Sequence, residues 1–197
     1  MADFRTETSV GARIRLARRE RGFRTTAELA NAIPGGNVTE AILENIESGR
    51  KADISVSQLL NIARGLNVPI SMLLTPIATP DGVLDLPNLS DDFEGMSVAE
   101  FDSWLSATPS SSYRPRLAAE RVDIGTLTLL RELGTLRREM ERLQIVRNVG
   151  VASGDSDLKS NSRVDSQLKG VQRELEQLVD LLSSAGIEAV VAPRESA

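Results

Sequence analysis

Along the first 75 residues the apolar positions recur at steps of three and four, in short runs cut by glycine, proline and small polar residues. That is the pattern of packed amphipathic helices. Val10, Ile14 and Ala17 trace a first helix with Ser9 as its N-cap and Gly22 at its stop. Thr25 and Glu28 have capping-box spacing for a short second helix with Leu29, Ala30 and Ile33 inward. Pro34-Gly35-Gly36 then forbids continuation, because proline cannot supply the helical N–H and two glycines favour a turn. Asn37 and Glu40 repeat the capping spacing, predicting a third helix from about Thr39 to Ser48 with Leu43 and Ile46 buried and Gly49 at its end. Leu59, Leu60, Ile62 and Ala63 mark a fourth helix over 56–66, and Pro69 opens a fifth that reaches Leu74.

The pattern changes twice beyond that point. From Thr75 to Pro115 proline, aspartate, serine and threonine dominate, as in TPIATPDG and ATPSSSYRP, and an irregular connector is expected. Within it Ser97 and Glu100 have capping spacing ahead of Val98, Phe101, Trp104 and Leu105, whose apolar groups are expected to fold back on the first domain. After Pro115 a helix is predicted to about Arg147, with Leu129, Leu133, Leu136, Met140 and Leu143 at steps of four and three. Residues 148–163, including GVASGDSDLKSNS, break it. Val164, Leu168, Val171, Leu175, Leu178 and Leu182 then repeat the same steps, which is the seam pattern of a coiled coil. Gly170 weakens that helix and Gly186 ends it. The expected division is thus 1–75, a helical domain; 76–115, an acidic connector; 116–186, helical oligomerisation segments; and 187–197, a flexible tail. The fold class is all-α.

Composition narrows the chemistry. Only 3% of the residues are aromatic, which suits small bundles and coiled coils. The chain has neither Cys nor His, so thiolate and imidazole metal sites, disulfides and most acid–base or nucleophilic catalytic sets lose their usual members. No catalytic residue, metal or cofactor is therefore expected, and Asp91, Asp92 and Glu94 read as solvated carboxylates of the connector. No apolar run approaches the roughly 20 residues of a spanning helix, and MADFRTETSV lacks a basic-then-apolar leader, so a cytoplasmic protein without a membrane partner is expected. The net charge of −5 conceals a division: residues 1–64 carry ten Lys/Arg against eight Asp/Glu, and 65–113 carry no Lys or Arg and seven Asp/Glu. Residues 114–197 carry thirteen of each. Arg13, Arg15, Arg19, Arg21 and Arg24 crowd the first helix and its end; each taken singly reads as a solvated side chain with partners such as Glu20 to Arg24, and together they form a basic shoulder.

Arg18, Gly22-Phe23, Leu29-Ala30, Val38-Thr39, the run Ile46-Glu47-Ser48-Gly49, Leu59 to Leu66, Val68-Pro69 and Leu73-Leu74 together resemble the Xre-type helix-turn-helix family, which includes the lambda and 434 repressors and Cro. The resemblance covers about a third of the chain. It departs from the family in the connection IPGGN, about three residues longer than the usual tight turn, and in an acidic third helix carrying Glu40, Glu44 and Glu47. What the resemblance implies is a third helix lying in the major groove of double-stranded DNA. By position, Glu40, Ala41 and Asn45 then meet base edges. Thr39 and Thr26, with Arg50 and Lys51 after the third helix, meet phosphates. Glu47 is implied to pair with Arg18 and brace the third helix against the first.

One such domain reads few base pairs, so pairing is expected, with Leu133, Leu136, Met140, Leu143, Leu168, Val171, Leu175, Leu178 and Leu182 as the candidates for joining two copies. The competing reading of those leucines is a hairpin that buries them within one chain. The expected function is a sequence-specific transcriptional regulator, a repressor of the phage or mobile-element type acting as a dimer. The alternative is a helical adaptor or antitoxin-like protein whose C-terminal helices bind another protein.

Overall fold

The computed structural model describes residues 3–108, 112–152 and 158–188. Among them are eight α-helices and no strand, so the fold is all-α. The chain divides into two compact units, Met1–Arg114 and Pro115–Ala197.

In the first unit α1 (Val10–Glu20), α2 (Thr26–Ala32), α3 (Glu40–Glu47), α4 (Val56–Leu66) and α5 (Ile70–Leu74) enclose one apolar core. Ile14, Leu29, Leu43, Ile62 and Leu73 bring one fully buried side chain from each helix, and Phe4 joins them from a 3-10 turn at Phe4–Thr6. The starts of the first four helices follow from single hydroxyls. Ser9 accepts the Ala12 N–H, Thr25 that of Glu28, Thr39 that of Ile42 and Ser55 that of Gln58, each relieving a donor that the helix leaves unmatched. Asn37 is therefore not the cap of α3. The chain turns at Gly35 and Gly36, both at positive φ, and Asn37 is held by α4 instead: its amide oxygen accepts from Asn61 at 2.8 Å and its backbone carbonyl from Gln58 at 3.1 Å. The extra length of this connection is thus anchored rather than free. Gly11 sets the closeness of α1 and α3, because a Cβ there would overlap the Ile46 carbonyl oxygen.

Arg13 does not belong to the basic shoulder. It is fully buried, and its five N–H donors reach the carbonyls of Glu7, Leu73 and Leu74 and both carboxylate oxygens of Asp85, at 2.6–3.0 Å. Asp85 lies in the stretch expected to be a connector, and that stretch is part of the first unit. Ala78 N–H donates to the Arg5 carbonyl, Asn88 to the Asp53 carboxylate, and Val98 and Ala99 N–H to the carbonyls of Gly82 and Pro80. Here α6 (Val98–Ser106) starts in a full capping box between Ser97 and Glu100. Its Phe101 and Trp104 pack with Phe93, ring centroids 5.3–6.2 Å apart, so its apolar face closes on the connector's own aromatic ring.

In the second unit α7 (Ala118–Ala152) runs past the expected end at Arg147, and α8 (Leu158–Ser184) begins before Val164. Residues 153–157, within the predicted break, lie outside the described residues, as do 189–197 of the predicted tail. The two helices form an antiparallel hairpin. Leu133, Leu175, Leu178 and Leu182 make its core, flanked by Leu129, Leu136, Met140 and Val171, and Leu143 and Leu168 are buried as well. The side chains expected to join two copies therefore close on one another within one chain, because α7 and α8 are neighbours in sequence and each meets the other before another copy. Gly186, at positive φ, ends α8 with paired bonds from Ile187 N–H to Leu182 O and from Gly186 N–H to Ser183 O.

Candidate nucleic-acid interface

The α2–α3 pair is fixed by its buried side. Leu43 and Ile46 point into the core, and Gly11 lets α1 lie directly against the backbone at Ile46. One edge of α3 is locked by Glu47, whose oxygens accept from Arg18 Nε at 2.6 Å and Nη2 at 2.7 Å. The remaining Nη1 of Arg18 donates to the carbonyls of Phe23 and Arg24, so a single guanidinium ties α1, the start of α2 and α3 together. Both side chains are nearly excluded from water, at 5% and 8% exposed. The hydrogen bond to Glu47 is the main cause that holds the Arg18 guanidinium above its ordinary range, against an opposing effect of burial.

With that side occupied, α3 presents Glu40, Ala41 and Glu44 outward, with Asn45 half-buried beside them. Glu44 stands four residues after Glu40 and three after Ala41, hence on the same face. Thr39 is exposed, but its hydroxyl already caps Ile42. Thr26 is half-buried in the first turn of α2, where Thr25 supplies the cap. Beyond α3, Lys51 is half-buried with its N–H donating to the Asn45 carbonyl at 2.9 Å, and the exposed Arg50 donates from Nε to Ser48 Oγ at 3.1 Å. The expected contact residues thus lie on α3 and on its two flanks.

The basic shoulder is smaller than the sequence count. Arg13 and Arg18 are consumed inside the unit, which leaves Arg15, Arg19, Arg21 and Arg24 exposed at α1 and its end. Glu20 stands 3.5 Å from Arg5 rather than pairing with Arg24, since Gly22 ends the helix between them; the Arg24 N–H donates to Glu28 instead. Chemically, an α-helix with such a face fits the major groove. Asn45 matches adenine N6 and N7, Glu40 or Glu44 accepts from cytosine N4, and Ala41 suits a thymine methyl.

The structure also assigns two residues for which local sequence carries no signal, Arg13 and Asp85, which pair across 72 positions. Among the described residues no group of His, Cys, Asp or Glu is gathered as metal ligands, and no helix is long and apolar enough to cross a membrane. The chain matches no family model, no curated protein and no solved structure.

Proposed function

We propose that the chain is a sequence-specific double-stranded DNA-binding regulator of the Xre type, cytoplasmic, acting as a repressor by occupying a promoter, with its second unit joining two copies. The observation that carries this reading is the rigid presentation of one polar helix face. The Arg18–Glu47 pair and the Gly11 contact hold α3 from behind, while Glu40, Ala41, Glu44 and Asn45 remain available on the other side. In this reading Arg50, Lys51, Thr26 and Thr39 position the unit on phosphates, and the α3 face reads bases.

The test is selection from a random duplex library with the full chain near physiological salt, followed by titration of the enriched duplex. A palindrome with half-sites about one helical turn apart is expected. Asn45→Ala is expected to abolish preference for that duplex over a scrambled one. Arg50→Ala is expected to weaken all duplexes alike and to lower the salt slope by about one. A folded protein that binds every duplex equally weakly sinks the proposal.

A second reading rests on the two carboxylates of the same face. Glu40 and Glu44 repel a phosphate backbone unless bases or arginines meet them, and the same face suits a basic protein surface. Under that reading the chain is a helical adaptor, and Glu40→Gln with Glu44→Gln weakens a protein complex while leaving duplex binding unchanged or stronger.

A further inference from the structure

The hairpin is unequal and one of its sides is open. α7 has 35 residues and α8 has 27, an excess of eight residues, or about 12 Å of helix. Val122, one heptad before the seam residue Leu129, is consequently 66% exposed. On one side of the hairpin a groove of about 390 Å³ runs between the helices, lined by Met140, Leu175 and Val179, with Glu176 and Asp180 at its α8 edge. On α7, outside the seam, Leu127 and Leu130 are 42% and 38% exposed, and Gly134 follows on the same face at helical spacing.

We propose that this open side pairs with a second copy of the chain, each copy laying the Leu127–Leu130–Gly134 face of its α7 into the groove of the other. The inference deepens the dimer in the reading above and names its surface. Charge selects the occupant. From Glu174 to its end at Ser184 α8 carries Glu174, Glu176 and Asp180 and no Lys or Arg, whereas α7 between 131 and 147 carries five Arg against three Glu. Glu176 and Asp180 have no cationic partner among the described residues, and Arg138, which flanks the Leu130–Gly134 face, donates to the Thr135 hydroxyl and has no carboxylate partner among them. An acidic groove edge and a basic apolar stripe on one molecule are self-complementary under a two-fold axis. Gly134 supplies the second observation. A Cβ there would meet only the flexible Arg138 guanidinium, at 3.6 Å, so packing within one copy does not call for a glycine, whereas a second helix crossing there gains its close approach.

Sedimentation equilibrium of the full chain without DNA tests this. The expected result is a dimer that becomes monomeric in Leu127→Glu/Leu130→Glu with unchanged helicity by circular dichroism, while Leu105→Glu, an exposed apolar position of the first unit, leaves it dimeric. Glu176→Arg/Asp180→Arg is expected to weaken the dimer, and adding Arg138→Glu to recover part of the loss. A monomeric wild-type chain overturns the proposal, as does a dimer that survives the double leucine change. So does a chain ending at Glu188 that dimerises where the full chain does not, since the last nine residues then occupy the groove. Because no DNA is present, a dimer that fails to select a duplex counts only against the DNA reading, and a monomer that selects one counts only against this interface.

Discussion

Glu47 shows how one residue type takes opposite roles within a single short helix. Glu40 and Glu44 are exposed to water, but Glu47 trades hydration for a two-pronged bond to a buried guanidinium. Such a pair is costly to break from one side, because the survivor is left charged and dry. Glu47→Ala is expected to lower the stability of the first unit by about 3–5 kcal/mol, and Arg18→Ala/Glu47→Ala to recover part of it. Urea unfolding checks this, and a Glu47→Ala midpoint within error of wild type removes the brace from the account. The raised Arg18 value means that its contribution is fully present below the ordinary guanidinium range and is lost only as pH rises beyond that range. The guanidinium side of the pair therefore adds no pH dependence between neutrality and pH 9. At this scale the sequence was legible where partners were local or where a resemblance placed them. The hydroxyl caps at Ser9 and Thr25 act within three residues and were readable, and the Arg18–Glu47 geometry lies where the resemblance put the pair. The cap of α3 was misplaced by two residues because Asn37 and Thr39 are both good caps, and only the bonds from Gln58 and Asn61 decide between them.

At the scale of the helix, α6 starts from a local capping box and so can be perturbed predictably. Its capping box closes when the Glu100 carboxylate accepts from Ser97 N–H at 2.8 Å and from Ser97 Oγ at 2.9 Å. The backbone N–H is the main cause that holds Glu100 below its ordinary value of 4.5, helped by the hydroxyl and opposed by slight desolvation. The folded value is depressed, so the cap contributes above about pH 4.5 and its contribution is lost as pH falls below that, through the folded value. The chain's single Trp, Trp104, sits in α6 in edge contact with Phe93, so its fluorescence reports the event. An acid titration is expected to show a transition below pH 4.5 in wild type that Glu100→Gln removes. Identical curves for the two proteins would detach the cap from the packing of Trp104. The heptads of α7 and α8 were equally legible as helices with an apolar seam, yet periodicity does not say whose seam meets whose. Leu133 and Leu182 satisfy the same spacing in a hairpin and in a dimer, and only the packing of the folded chain decides between them.

The division of the whole molecule departs most from what the chain's composition suggests. A segment without a single Lys or Arg, rich in Pro, Asp and Ser, has the makeup of a solvated linker, and residues 76–108 are nevertheless built into the first unit. The cause is Arg13. α1 buries a charge that residues 1–75 alone satisfy with three backbone carbonyls, and the neutralising carboxylate arrives only with Asp85. Carbonyl oxygens accept its hydrogen bonds but do not cancel the charge, and a desolvated cation without a counter-ion costs several kcal/mol. The acidic stretch is therefore part of what makes the helical unit stable, and a fragment cut at residue 75 is expected to unfold at lower urea than one cut at residue 114, by about 3–5 kcal/mol. Asp85→Ala in the longer fragment is expected to remove most of that difference. If the two fragments unfold together, water entering beside Arg13 is enough to replace Asp85, and the boundary near residue 75 is the true one. If they differ as expected, the five-helix unit is incomplete without the segment that follows it, and any change of conformation in residues 76–97 reaches α1, and through Gly11 and Arg18 the α3 face, along contacts already made in the fold.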